Sequence, residues 1–213
     1  LVARGGSGFI LALAHSSGSY VAHELLRQVA GGLDAGGVTA DRIVYFDLDG
    51  GIAGLDVAVA NAGVGMYGSF LELDPEHLEA MIDVNLKGTL YTAAAVLPHL
   101  VESGAGDFIS LASVAGLRGF PGEAVYNASK FGQLGFTRSL DHELRERGVR
   151  ATCVCPGGIA TDFAMGTGRE EGSTDGMMSA DDVADTVLYC LTRPRSWRML
   201  TMSYRPMIEG SWG

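Results

Sequence analysis

The hydrophobic run LDVAVA at 55–60 is broken only by Asp56 and ends in the turn NAG at 61–63. A short apolar run without polar alternation predicts a buried parallel strand. The pattern then lengthens to a helical period. DPEHLEAMIDVNLKG opens with Asp74 as N-cap and Pro75 at the first helical position. Helical texture continues to about Glu102, where Ser103 and Gly104 stop it. DFISLAS at 107–113 predicts the next strand, and Ala124 to Arg147 a long helix closed by Gly148. VRATCVCPGG at 149–158 predicts a strand running into a Pro-Gly turn. Ser179 with Asp182 forms a capping-box pattern for a helix reaching about Thr192, with Pro194 beyond it. RMLTMSY at 198–204 completes the series as a last strand. Alternation of this kind predicts an α/β fold, a parallel sheet with helices on both faces. Such sheets bind ligands at the carboxyl ends of their strands. Asn61, Ser113 and Pro156 all fall at those ends.

Composition narrows the picture. At 213 residues and 47% hydrophobic, the chain can bury a full core, and residues 1–213 read as a single domain. A formal charge of −10 argues against nucleic acid or an anionic membrane as partner. Its plainest meaning is solubility. No segment reaches about 18 uninterrupted apolar residues, so no membrane span is expected. No signal-peptide pattern is evident. Cys153 and Cys155 alternate along one strand, so they share a face and are expected to pack there. Three cysteines without metal spacing suit a reducing compartment, and the expected location is cytoplasmic. The five histidines are scattered, and no metal site is expected.

The segment AVYNASKFG at 124–132 carries the chemistry. The chain has only two lysines, and one of them, Lys130, follows Tyr126 by four positions. On a helix the two side chains share a face, one turn apart. A free phenol titrates near 10, and a neighbouring ammonium favours its ionised form. Bringing it to about 7 takes roughly 4 kcal/mol of differential stabilisation. By itself the pair also fits a surface Tyr beside a solvated Lys. Ser113 ends a strand thirteen positions before Tyr126, where its hydroxyl could hold a substrate oxygen. Asn85 lies between two helical stretches, where its amide could interrupt the helix and reach the site.

NAG at 61–63, VN at 84–85, ASVAG at 112–116, YNASK at 126–130 and PGGIAT at 156–161 stand in one order and spacing. Together they resemble the short-chain dehydrogenase/reductase family, closely over about 42–163. A single YxxxK is common by chance; the ordered set of five is specific. The resemblance implies a Rossmann-like doubly wound sheet and NAD(P)-dependent hydride transfer between an alcohol and a ketone or aldehyde. It makes Tyr126 the acid in reduction and the base in oxidation. Lys130 would lower the Tyr126 pKa and bind the nicotinamide ribose. Ser113 would orient the substrate oxygen. Asn85 would hold a water linking Lys130 to solvent. Asn61, Ala62 and Gly63 would pass the adenosine side of the cofactor, and Asp47 would contact the adenine. Pro156, Gly157, Ile159 and Thr161 would flank the nicotinamide. The resemblance further implies NADP or NAD as cofactor, a small carbonyl or alcohol substrate as partner, and a homotetramer or homodimer as assembly.

The N-terminal quarter departs from the family pattern, which expects a strand, TGxxxGxG and a helix. GGSGFIL at 5–11 has Gly5 and Gly8 at a related spacing, but Leu11 replaces the third Gly. FILALAHSSGSYVAHELLRQVA at 9–30 offers a strand, a small polar loop and a helix, with Ser17 and Gly18 as the expected phosphate contacts. Architecture favours the second. RIVYFD at 42–47 and LDVAVA look like parallel neighbours, yet only Leu48 to Gly54 separate them, too few for a crossover. Segments missing near 30–42 and 48–54 are one explanation, and a truncated relative is the other. The segment after Thr161, with Phe163, Met165, Met177 and Met178, reads equally as an apolar lid or a surface loop. The damaged glycine pattern leaves a silent scaffold protein open, and an isomerase or lyase on the same fold is a further alternative.

Overall fold

The computed structural model describes residues 9–13, 55–164, 166–169 and 174–210. Among the described residues five strands form one parallel sheet: β1 (Phe9–Leu13), β2 (Leu55–Ala60), β3 (Asp107–Leu111), β4 (Arg150–Pro156) and β5 (Thr201–Tyr204), in that spatial order. Between them run α1 (Pro75–Met81), a π-helical turn over Ile82–Lys87, α2 (Gly88–Glu102), α3 (Ala124–Leu144) and α4 (Ala180–Leu191). The starts of α1 and α4 follow local chemistry. The Asp74 carboxylate accepts from the Glu76 N–H at 3.0 Å, and Ser179 and Asp182 cap each other's backbone in a capping box. Gly148 ends the long helical stretch with φ 81°, where other residues are strained.

Strand alternation sorts the core into two layers. Val57, Val59, Ile109, Leu111 and Val154 face α4 through Val183, Ala184 and Val187. Ala58, Ala60, Phe108 and Ala151 face α2 and α3 through Ala93, Val96, Leu100 and Leu140. The sheet is therefore doubly wound, as the alternation of elements predicts. Cys153 and Cys155 pack on one face with Ala112, as their i, i+2 spacing requires. At the amino ends of β3 and β4, buried Asp107 accepts from Arg150 at 2.6 and 3.0 Å and from Arg195 at 2.8 Å. This triad ties two strands to the segment before β5 at the end opposite the strands' carboxyl ends.

The N-terminal reading is partly corrected. Phe9–Leu13 is a strand in which Leu11 pairs with Ala58. Leu11 thus lies in the sheet and not at the third position of a phosphate-binding loop, while Gly5 and Gly8 lie outside the described residues. Both edges of β2 are occupied, by β1 and β3. The parallel neighbour expected from 42–47 therefore does not flank it, and the short interval Leu48–Gly54 need not hold a crossover between adjacent strands. Residues 14–54 lie outside the described residues, and with them Ser17, Gly18, Asp47 and both proposed gaps.

Candidate active site

The site begins at the carboxyl ends of β2, β3 and β4. After β2 the chain turns through Asn61–Val64, and Asn85 fastens that turn. Its Oδ1 accepts from the Val64 N–H at 2.8 Å, and its Nδ2 donates to the Val64 carbonyl at 2.9 Å and to Ser129 Oγ at 3.0 Å. Asn85 is fully buried, and the helix is not interrupted there but widened into the π turn. A helix with one extra residue in a turn can aim an amide sideways without ending. After β3, Ser113 is extended and its Oγ accepts from the Ala115 N–H at 3.1 Å, starting a short 3-10 turn over Val114–Gly116. Gly116 lets this turn lie against α3; a Cβ there would stand 2.7 Å from the Lys130 carbonyl oxygen.

α3 then presents Tyr126 and Lys130. The Tyr126 side chain is hydrogen-bonded to Ser113 and to Tyr67, whose ring meets it edge-on with centroids 5.5 Å apart. Lys130 is 3% exposed; its Nζ donates to the Leu111 carbonyl at 3.2 Å and lies 5.5 Å from the Tyr126 ring centroid. Burial holds the Lys130 pKa down to about 8. Burial also pushes the Tyr126 phenol above its ordinary value, Ser113 and Tyr67 pull it down, Glu123 raises it and Arg169 lowers it. The expectation of a depressed phenol is thus reversed in the protein without cofactor. Desolvation outweighs the hydrogen bonds, and Lys130 does not figure among the groups that shift it.

These groups open on a cavity of about 560 Å³. Of the residues singled out in the sequence, Asn61, Gly63, Ser113, Tyr126, Lys130, Pro156, Gly157, Ile159 and Thr161 line it. Ala62 is not on its wall. Asn85 stands behind it, near Gly63, where a Cβ would lie 3.4 Å from Asn85 Oδ1 and 3.6 Å from Lys130 Nζ. The segment after Thr161 closes one side. Phe163 stacks at a tilt on Tyr126, with centroids 5.9 Å apart. Thr167 Oγ1 donates to the Gly65 carbonyl at 2.8 Å, and the Tyr67 N–H donates to the Thr167 carbonyl at 2.7 Å. Arg169 donates to the Ile159 and Phe163 carbonyls and to the Met177 sulfur. Phe163 and Met177 line the cavity; Met178 pairs instead with Ile159, and Met165 lies outside the described residues.

Sequence reasoning missed Tyr67, Glu123, Arg169, Arg205 and Glu209, all on the cavity wall. Glu123 had a usable signal, since it immediately precedes the predicted helix, three positions before Tyr126. Tyr67 had none, because its approach to Tyr126 spans 59 positions and depends on how the loop after β2 folds back. Among the described residues no cluster of His, Cys, Asp or Glu could hold a metal ion, and no helix is long and apolar enough to cross a membrane. Cys153, Cys155 and Cys190 are free thiols.

This arrangement agrees with comparisons to known proteins. The family model for short chain dehydrogenases matches residues 44–172, and the chain belongs to that family. An uncharacterized oxidoreductase of Staphylococcus epidermidis is 35% identical over 153 residues, covering 72% of this chain and 65% of that protein. One from Staphylococcus aureus is 33% identical over 154 residues, with the same shares. The chain thus spans just under two-thirds of these relatives' length. The closed form of serine dehydrogenase complexed with NADP+ superposes with a TM-score of 0.79 at 22% identity, over 96% of this chain and 97% of that one. An alcohol dehydrogenase from the archaeon Thermococcus sibiricus complexed with 5-hydroxy-NADP gives 0.76 at 22% identity, over 97% and 100%. At that identity the two share the fold.

Proposed function

We propose that residues 1–213 form one NAD(P)-binding domain that interconverts an alcohol and a ketone or aldehyde. The observation that carries this reading is the buried Tyr126 phenol, hydrogen-bonded to Ser113 with Lys130 beside it, on a cavity at the strands' carboxyl ends. When bound, a nicotinamide would supply hydride transfer to or from the substrate carbon. The residues present fit such a group. Lys130 has three N–H donors and spends one on Leu111, so two remain for ribose hydroxyls on the cavity side. The turn Asn61–Gly63 offers a close backbone approach for the adenosine side, and Pro156, Gly157, Ile159 and Thr161 form the wall for the nicotinamide. Ser17, Gly18 and Asp47 complete the reading for the pyrophosphate and adenine. Cofactors of this class occupy both solved structures named above.

Tyr126 gives its proton to the carbonyl oxygen in reduction and removes the alcohol proton in oxidation. Ser113 and Tyr67 are hydrogen-bond partners already in place for the phenolate and the substrate oxygen. Lys130, charged below about pH 8, does not shift the phenol in the protein without cofactor, and its part in this reading is to hold the ribose. Asn85 clasps the Val64 backbone, and one lone pair remains on its Oδ1 for a water that passes protons from Lys130 to solvent. The free thiols suit a cytoplasmic enzyme. Exposed Tyr91 on α2 and Phe131 on α3, 72% and 45% accessible, suit a homodimer or homotetramer.

Titrating NADH and NADPH against the fluorescence of Trp197 and Trp212 tests cofactor binding, and oxidation of a panel of secondary alcohols tests the reaction. Absence of binding for both nucleotides would overturn the reading.

A further inference from the structure

We propose that the site takes an amino alcohol or amino ketone, with Glu123 holding the substrate's ammonium. The inference rests on Tyr126 as the acid–base group. Glu123 stands immediately before α3 as its N-cap, three positions ahead of Tyr126, and its charge reaches the Tyr126 phenol. It lines the same cavity. The ordinary structural task of an acidic residue there is to cap the helix, and Glu123 makes no side-chain cap hydrogen bond.

The cations of the cavity are engaged elsewhere. Arg205 binds Glu209 at 2.6 Å. Arg169 donates to two carbonyls and a sulfur. Lys130 donates to Leu111. Glu209, the other carboxylate on the wall, also accepts from the Gly158 N–H at 2.7 Å. Among the described residues none forms a hydrogen bond or ion pair with the Glu123 side chain. Burial, and then the nearby Glu209, raise its pKa, while its own charge reaches both Tyr126 and Tyr67. A half-buried carboxylate without a counter-charge, facing a ligand-sized cavity, is a place for a cation.

The redox step balances on this substrate as on any alcohol. The C–H pair leaves as hydride to the oxidised nicotinamide, the O–H proton goes to Tyr126, and the amine keeps its protons throughout. In such a substrate the ammonium stands one or two carbons from the carbinol, and Glu123 and Tyr126 line the same cavity.

The test uses matched secondary alcohols, 1-amino-2-propanol and 2-butanol, in which an ammonium replaces a methyl. Wild-type kcat/KM should favour the amine by about tenfold or more, the range of a charge-assisted hydrogen bond. Glu123→Gln should bring the amine-to-2-butanol ratio of kcat/KM to within about twofold of one; its effect on the Tyr126 phenol acts on both alcohols alike and cancels in that ratio, and the thermal transition should be unchanged. Equal use of both alcohols by the wild type, or equal losses in the variant, would overturn the substrate class while leaving the reaction intact. Calorimetric titration of 1-amino-2-propanol separates the remaining case. If neither alcohol is oxidised but the amine binds and Glu123→Gln abolishes its binding, the substrate class stands and the reaction falls. If the amine neither reacts nor binds, the proposal is overturned.

Discussion

Replacing Lys130 by Met should make the protein more stable at neutral pH while destroying its turnover. Lys130 is buried, and burial moves its pKa from 10.5 down to about 8. A lysine whose folded value lies below its unfolded value is destabilising where it is charged in both states. That penalty is full below about pH 8 and fades as the pH rises towards about 10.5, because there the unfolded chain binds more protons than the folded one. The shift of 10.5 − 8 corresponds to roughly 3 kcal/mol. Against it stands the Nζ hydrogen bond to the Leu111 carbonyl, whose loss with the carbonyl left buried costs about 1–3 kcal/mol. Met fills similar volume without the charge. Near neutral pH the variant should therefore gain on the order of 1 kcal/mol. Its advantage should shrink by roughly 3 kcal/mol as both proteins are carried to about pH 10.5. Urea denaturation across that range, at fixed protein concentration, measures the difference directly. A variant that is less stable than wild type by the same amount at every pH would refute the reasoning, because the ammonium would then be a structural asset rather than a destabilising charge retained for function.

Tyr126→Phe keeps the ring and should lower turnover by about a hundredfold or more with little change in folding; near-native turnover on a confirmed substrate would sink the assigned mechanism. Ser113→Ala should lower the rate while nucleotide binding, read by tryptophan fluorescence, stays near normal; the two changes combined should be far from additive. Tyr67→Phe removes one of the two hydrogen bonds that pull the Tyr126 phenol down, so the pH profile of oxidation should move to higher pH, and an unmoved profile would remove Tyr67 from the proton-transfer unit. Asp107→Ala leaves Arg150 buried without its partner and should destabilise by about 3–5 kcal/mol in denaturant unfolding, with site chemistry otherwise unaffected. Light scattering at micromolar concentration should show a dimer or tetramer, and a species of 22.3 kDa alone would refute assembly through α2 and α3.

Local chemistry made most of the fold legible. Asp74 before Pro75, Ser179 before Asp182 and Gly148 after a long helical period mark ends that depend on neighbours only a turn away. The apolar runs at 55–60 and 107–111 are strands because a parallel sheet buried on both faces admits little else. The i, i+4 spacing of Tyr126 and Lys130 puts them on one helix face by local geometry alone. Tertiary structure decided what lies far apart in sequence. It put β1 rather than residues 42–47 beside β2, since strand order follows from how crossovers pack and not from adjacency in the chain. It turned Asn85 into a clasp on Val64, 21 positions away, through a π turn that no propensity signals. It brought Tyr67 and Phe163 onto Tyr126, and it reversed the sign of that phenol's shift. A neighbour's charge can be read from spacing, but desolvation is a property of everything packed around a group, and that exists only once the chain has folded.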